Sequence, residues 1–122
     1  MKFYQCSNCD SILILEKAMD CCKEGPEELV PNTTDSSGEK HVPVIKVDGR
    51  NVAVTVGSVE HPMLDVHYLM WILLETTQGY QKKNLLPGEK PVAHFALAEG
   101  DAVLAAYEYC NLHGLWKAEQ KD

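Results

Sequence analysis

HVPVIKVDGRNVAVTVG, residues 41–57, consists of two β-branched runs around a turn dipeptide. Val52, Val54 and Val56 recur at every second position, the pattern of a strand with one buried face. Asp48-Gly49, between the runs, is a hairpin signal. Working toward the C-terminus, the same grammar repeats. HYLMWILLETT (67–77) has a periodicity that also allows a short helix, but Gln78-Gly79 and strand-like neighbours on both sides favour a strand. PVAHFAL (91–97) lies between the turns Pro87-Gly88 and Glu99-Gly100. AVLAAYEYC (102–110) fits a helix by its alanines and a strand by the alternation of Tyr107 and Tyr109. Many short strands separated by Gly and Pro turns predict a small β-sandwich, an all-β fold.

Toward the N-terminus the character changes. PNTTDSSGEK (31–40) is polar and rich in turn formers, and reads as a linker. The first thirty or so residues hold few large apolar side chains beyond Ile12-Leu13-Ile14-Leu15, too few for a core without a staple. The expected division is a cysteine-rich module over 1–34 and a β-sandwich over 35–122.

The chain has 122 residues, 45% of them hydrophobic, and a net charge of −7. That balance fits a soluble globular protein and argues against nucleic-acid binding, which needs clustered Lys and Arg. No apolar run reaches membrane-spanning length, and MKFYQCSNCD lacks a secretory h-region, so a cytoplasmic location is expected. Five cysteines, an odd number, speak against a disulfide framework.

Four cysteines lie in the first 22 residues: Cys6 and Cys9 in a C-x-x-C pair, Cys21 and Cys22 adjacent. Such a set suits tetrahedral zinc or a single iron, the first as a fold staple, the second as an electron carrier. A dithiol redox pair is a third reading, though no βαβ pattern surrounds it. The fifth, Cys110, stands apart with His113 three residues on, a spacing that can chelate a metal from one turn. It equally fits a buried strand cysteine. His41 opens the first strand of the hairpin, and His61 and His67 lie six apart in a loop. His94, mid-strand without a partner at ligand spacing, reads as an exposed strand residue.

GEKHVPVI, GSVEHPMLDVHY and YEYCNLHGLWKA, in that order, resemble the signature segments of desulfoferrodoxin-type superoxide reductases. The cysteine cluster followed by LVPNTTD resembles that family's desulforedoxin-like module, with eleven residues, Asp10 to Asp20, between the cysteine pairs. The resemblance implies an immunoglobulin-like β-sandwich holding a mononuclear non-haem iron. Its implied ligands are four equatorial imidazoles, His41, His61, His67 and His113, and one axial thiolate, Cys110. It implies a second iron or zinc on Cys6, Cys9, Cys21 and Cys22. The activity implied is one-electron reduction of superoxide to hydrogen peroxide.

By the resemblance, Lys40 is the local positive charge that would attract an anion to an acidic protein; without it, Lys40 reads as an ordinary linker lysine. Glu39 is implied to close the open metal position after oxidation, and Trp116 to pack beneath the site. A rubredoxin-like electron donor and a homodimer are the expected partners. The alternative class is a non-catalytic iron electron-transfer or metal-binding protein, whose open position is filled or unreactive.

Overall fold

The computed structural model describes residues 1–6, 12–15, 26–34 and 36–121, without the side chains of residues 6, 13–15 and 26. The chain divides into two compact units, Met1–Val30 and Pro31–Asp122. In the first, β1 (Lys2–Cys6) pairs antiparallel with both β2 (Ile12–Leu15) and β3 (Pro26–Leu29), placing Phe3 opposite Ile14 and Leu29. Cys9, Cys21 and Cys22, and the Cys6 side chain, lie outside the described residues, and with them the expected second metal site.

The second unit is a sandwich of two antiparallel sheets. One has the order β4-β5-β8, from Pro43–Asp48, Asn51–Val56 and Val92–Ala96. The other has the order β10-β9-β6-β7, from Gly114–Glu119, Val103–Cys110, Leu69–Thr76 and Gly79–Asn84. Both stretches that admitted a helix are strands: tertiary pairing decides between local alternatives of similar propensity. The β4–β5 hairpin closes through Gly49 and Arg50, with Asp48 opposite Asn51. Gly49 has φ +61°, left-handed as the first position of a tight hairpin requires.

The core is built from alternate positions of both sheets. Val52, Val54, Val56, Ala93 and Phe95 face Leu69, Ile72, Leu74, Ala106 and Cys110. On one side the sheet edges are bridged: Gln81 Nε2 donates to the Ala96 carbonyl at 2.8 Å, and Lys83 Nζ lies 5.5 Å from the Phe95 ring centre. On the other face of the larger sheet, Trp71 stacks on Tyr109 at 5.8 Å, and the buried Tyr107 hydroxyl donates to Glu75 at 3.1 Å.

Two expectations need correction. His41 does not open a strand. It ends a single helical turn, α1 (Gly38–His41), closed by Val42 N–H donating to the Gly38 carbonyl at 2.9 Å. The turn stops there because Val42 precedes Pro43, whose ring disfavours the helical region for its neighbour; Val42 is extended and β4 begins at Pro43. Nor is the whole of 31–40 a free linker. Asn32 lies along β10: its side-chain amide donates to the Lys117 carbonyl at 3.0 Å, and its Oδ1 accepts from Lys117 N–H at 2.8 Å.

Candidate metal centre

Five side chains from four chain segments converge at one end of the sandwich. His41 comes from α1, His61 and His67 from the loop between β5 and β6, Cys110 from the last position of β9, and His113 from the turn into β10. The four imidazoles stand in a square. Around its sides, ring centres are 4.7 Å apart for His41–His61, 4.8 Å for His61–His67, 4.9 Å for His67–His113 and 4.8 Å for His113–His41. Each neighbouring pair is close to perpendicular, between 76° and 88°, while His41 and His67 face each other across the diagonal at 6.3 Å. Donor atoms of His41, His61, His67 and Cys110 all lie within 4.8 Å of one another. His113 Nδ1 is 3.0 Å from His41 Nε2 and 3.9 Å from Cys110 Sγ.

Backbone groups fix which nitrogens point inward. His41 Nδ1–H donates to the Ser37 carbonyl and His61 Nδ1–H to the Pro62 carbonyl, both at 2.7 Å. A carbonyl can only accept, so Nε2 of each ring carries the inward lone pair, as metal-binding histidines are oriented elsewhere. Nε2 of His61 and of His67 are buried without a hydrogen-bond partner. Two orphaned ring nitrogens in one cluster are costly unless something binds them.

The supports are local. The loop carrying His61 is anchored by His61 N–H to the Val56 carbonyl at 3.2 Å, and His67 exchanges backbone bonds with Leu64. Asn111 stitches this loop to the β9 corner: Oδ1 accepts from Tyr68 N–H at 2.9 Å and Nδ2 donates to the Val66 carbonyl at 3.1 Å. Gly114, with φ +78°, makes the left-handed corner that a side chain would strain. Trp116 stacks on His41 at 4.8 Å and donates its indole N–H to the His113 carbonyl at 3.0 Å, so it does pack against the site as expected.

Burial sets the protonation. It pushes His61 down to about 4, against the opposing Pro62 hydrogen bond and with the other imidazoles adding to the depression. His41 is lowered mainly by burial, opposed by the Ser37 bond and reinforced by His113, His67 and Lys40. His67 is lowered by burial, then by His113 and Lys40. Neutral imidazoles are the form that binds metal. Burial raises the Cys110 thiol, opposed by the Leu112 and His113 backbone amides, with the Glu108 charge raising it further. A metal must therefore displace its proton.

Lys40 and Glu39 are exposed on α1, with Lys40 near enough to bias His41 and His67. His94 is exposed in β8 as read. Three contributors escape sequence reading. Asn111 sits in plain view inside CNLHG. Glu108, fully buried with neither carboxylate oxygen bonded, looks like a solvent-facing strand residue. Gly57 gives no signal beyond being a glycine.

The donor set itself restricts the metal. Imidazole and thiolate exclude the oxygen-seeking cations, and five donors exceed the usual four of structural zinc. A β-sandwich with a histidine square over one buried cysteine defines a redox-type metalloprotein. Residues 33–119 match the desulfoferrodoxin family, and the chain belongs to it. It is 43% identical to the desulfoferrodoxin of Nitratidesulfovibrio vulgaris over 122 residues, covering 97% of this chain and 95% of that one. Its fold superposes on the superoxide reductase of Treponema pallidum with a TM-score of 0.77 at 41% identity, covering 91% of this chain and 90% of that one. It also resembles the 1Fe superoxide reductase of Giardia intestinalis, with a TM-score of 0.58 at 34% identity over 69% of this chain and 99% of that one.

Proposed function

We propose that this chain is a superoxide reductase whose iron is held by His41, His61, His67, His113 and Cys110. The observation that carries the reading is the square of imidazoles over a buried thiol, with the Nε2 atoms of His61 and His67 lacking a hydrogen-bond partner among the described residues. When bound, iron supplies the single electron that superoxide takes up, and the thiolate's electron donation favours release of the reduced product.

The chain's own residues do the rest. Cys110 is fully buried and meets the imidazoles from the core side, while His67 and His113 are partly exposed. Solvent and substrate reach the site where His67 and His113 are partly exposed, within the field of Lys40. There the Lys40 ammonium draws in the anion and orders a water that donates a proton. Two protons and one electron convert superoxide to hydrogen peroxide with no oxygen formed. Glu39, beside Lys40, is the carboxylate available to close the face after turnover. The electron is returned by a rubredoxin-like donor.

The reading extends to a cytoplasmic homodimer. No described helix is long and apolar enough to cross a membrane. It also includes an iron or zinc on Cys6, Cys9, Cys21 and Cys22, with its module over 1–34. Metal analysis per chain distinguishes two irons from one iron and one zinc; a single metal per chain removes the second site.

The test of activity is pulsed superoxide with reduced protein. One peroxide per superoxide, with no oxygen released, supports the reductase. Reversible reduction without superoxide consumption means an electron carrier.

A further inference from the structure

The turn that carries Glu39, Lys40 and His41 is only four residues long and buries His41 alone, so something else must hold the exposed Glu39 and Lys40 in place. Its anchor is the segment directly after β5. Val59 N–H donates to the Glu39 carbonyl at 3.0 Å, and the Ser58 hydroxyl reaches the same oxygen at 3.3 Å. Between these bonds and the sheet sits Gly57, which is buried. A Cβ on Gly57 would land on the Glu39 carbonyl oxygen, 2.7 Å from the Lys40 carbonyl carbon and 2.9 Å from that of Glu39. All three are main-chain atoms, and none can rotate aside. Gly57 does not lie in the left-handed region, so space and not backbone freedom demands glycine here.

We infer that Gly57, with Ser58 and Val59, is a clamp that positions Lys40 beside the metal centre, and that Gly57 is a positioning residue for superoxide capture. The inference rests on the superoxide reductase reading. Its physical basis is which partner yields when the gap is filled. Gly57 directly follows β5, the central strand of its sheet, paired to both β4 and β8. His41 is held by Ser37 and stacked on Trp116. Glu39 and Lys40, exposed between these fixed points, must move by about 1 Å to restore ordinary carbon–carbon contact. A displacement of that size at a reacting centre is enough to change rates by an order of magnitude or more.

Three proteins decide it: the full-length chain, Gly57→Ala and Ser58→Ala. With iron bound, Gly57→Ala should keep wild-type metal content and thiolate absorption. Its second-order rate with superoxide should fall about tenfold. Its rate should also lose most of the ionic-strength dependence, approaching Lys40→Ala. In metal-free protein, amide exchange at Lys40, Val42 and Val59 should accelerate at least about tenfold. Ser58→Ala, which deletes one bond and threatens no fold, should shift exchange and salt slope the same way by a smaller factor.

A folded Gly57→Ala with the wild-type salt slope overturns the inference, whatever its exchange shows. Should Gly57→Ala not fold, unchanged exchange and slope in Ser58→Ala overturn it. Failure of the wild type to consume superoxide would sink the functional reading instead, and the exchange data would still decide whether the clamp exists.

Discussion

Cys110 and Glu108 lie two apart on the same face of β9, and burial treats them differently. The thiol sits under four imidazoles. The Glu108 carboxyl has no hydrogen-bond partner among the described residues, and burial alone pushes it up to about 9, so it is neutral in the folded protein at pH 7. Cys110→Ser should therefore remove the thiolate-to-metal absorption and slow superoxide reduction by about a hundredfold or more, as measured by visible spectroscopy and pulse radiolysis. Glu108→Leu should stabilise metal-free protein by about 1–3 kcal/mol in urea unfolding, because an unsatisfied buried polar group is replaced by one that needs no partner. A loss of stability would mean that the carboxyl is satisfied. The candidate ligands were legible through the three family-like segments, since spacing alone fits a buried strand cysteine at Cys110 about as well. Glu108 was not legible, because a glutamate in a strand normally faces water and only the packing of the opposite sheet reveals that this one does not.

Strands β4, β5 and β8 were legible as elements, because alternation and Gly or Pro turns are strong local signals; β6 and β9 also admitted a helix, and β7 and β10 carried no such signal. His41 shows where such signals stop. Its β-branched neighbours suggest a strand start, but the boundary is set by Pro43 acting on Val42 and by the bond back to Gly38. Another turn carries a testable charge. Asp101 Oδ1 accepts from the Thr77 hydroxyl at 2.8 Å and from the amides of Gln78 at 3.1 Å and Ala102 at 2.9 Å, joining the β6–β7 turn to the approach of β9. Burial pushes this carboxyl up, but hydrogen bonds from Thr76, Thr77, Ala102 and Gln78 outweigh it and hold it below 3.8. A carboxylate with a depressed folded pKa contributes stability above its unfolded value and loses it as pH falls through the folded one. Asp101→Ala should thus melt earlier than wild type at pH 7, and the gap should close below pH 3.8. Thermal unfolding across that range is the check; a gap that persists in acid would mean that the side chain acts by packing.

On the scale of the whole molecule, the charge of −7 repels an anionic substrate, so attraction must be local. Lys40→Ala should slow the reaction with superoxide about tenfold and flatten its dependence on ionic strength, with the iron spectrum intact. Equal rates for the two proteins would remove Lys40's role and favour an electron carrier. Net charge and family resemblance could be read from the chain alone. The meeting of α1 with the 57–59 segment could not, since it depends on main-chain atoms that come together only after two sheets have formed.

The five candidate ligands are distributed across both layers of the sandwich. His41 leads into β4 and His61 follows β5 in one sheet; His67 leads into β6, Cys110 ends β9 and His113 precedes β10 in the other. An ion seated among them is a bolt through both plates. Its binding energy then counts directly as folding energy, because the separated sheets have no site left to bind it. With Cys110 and His41 shut away from solvent and His67 and His113 partly exposed, the site has one closed end and one open one.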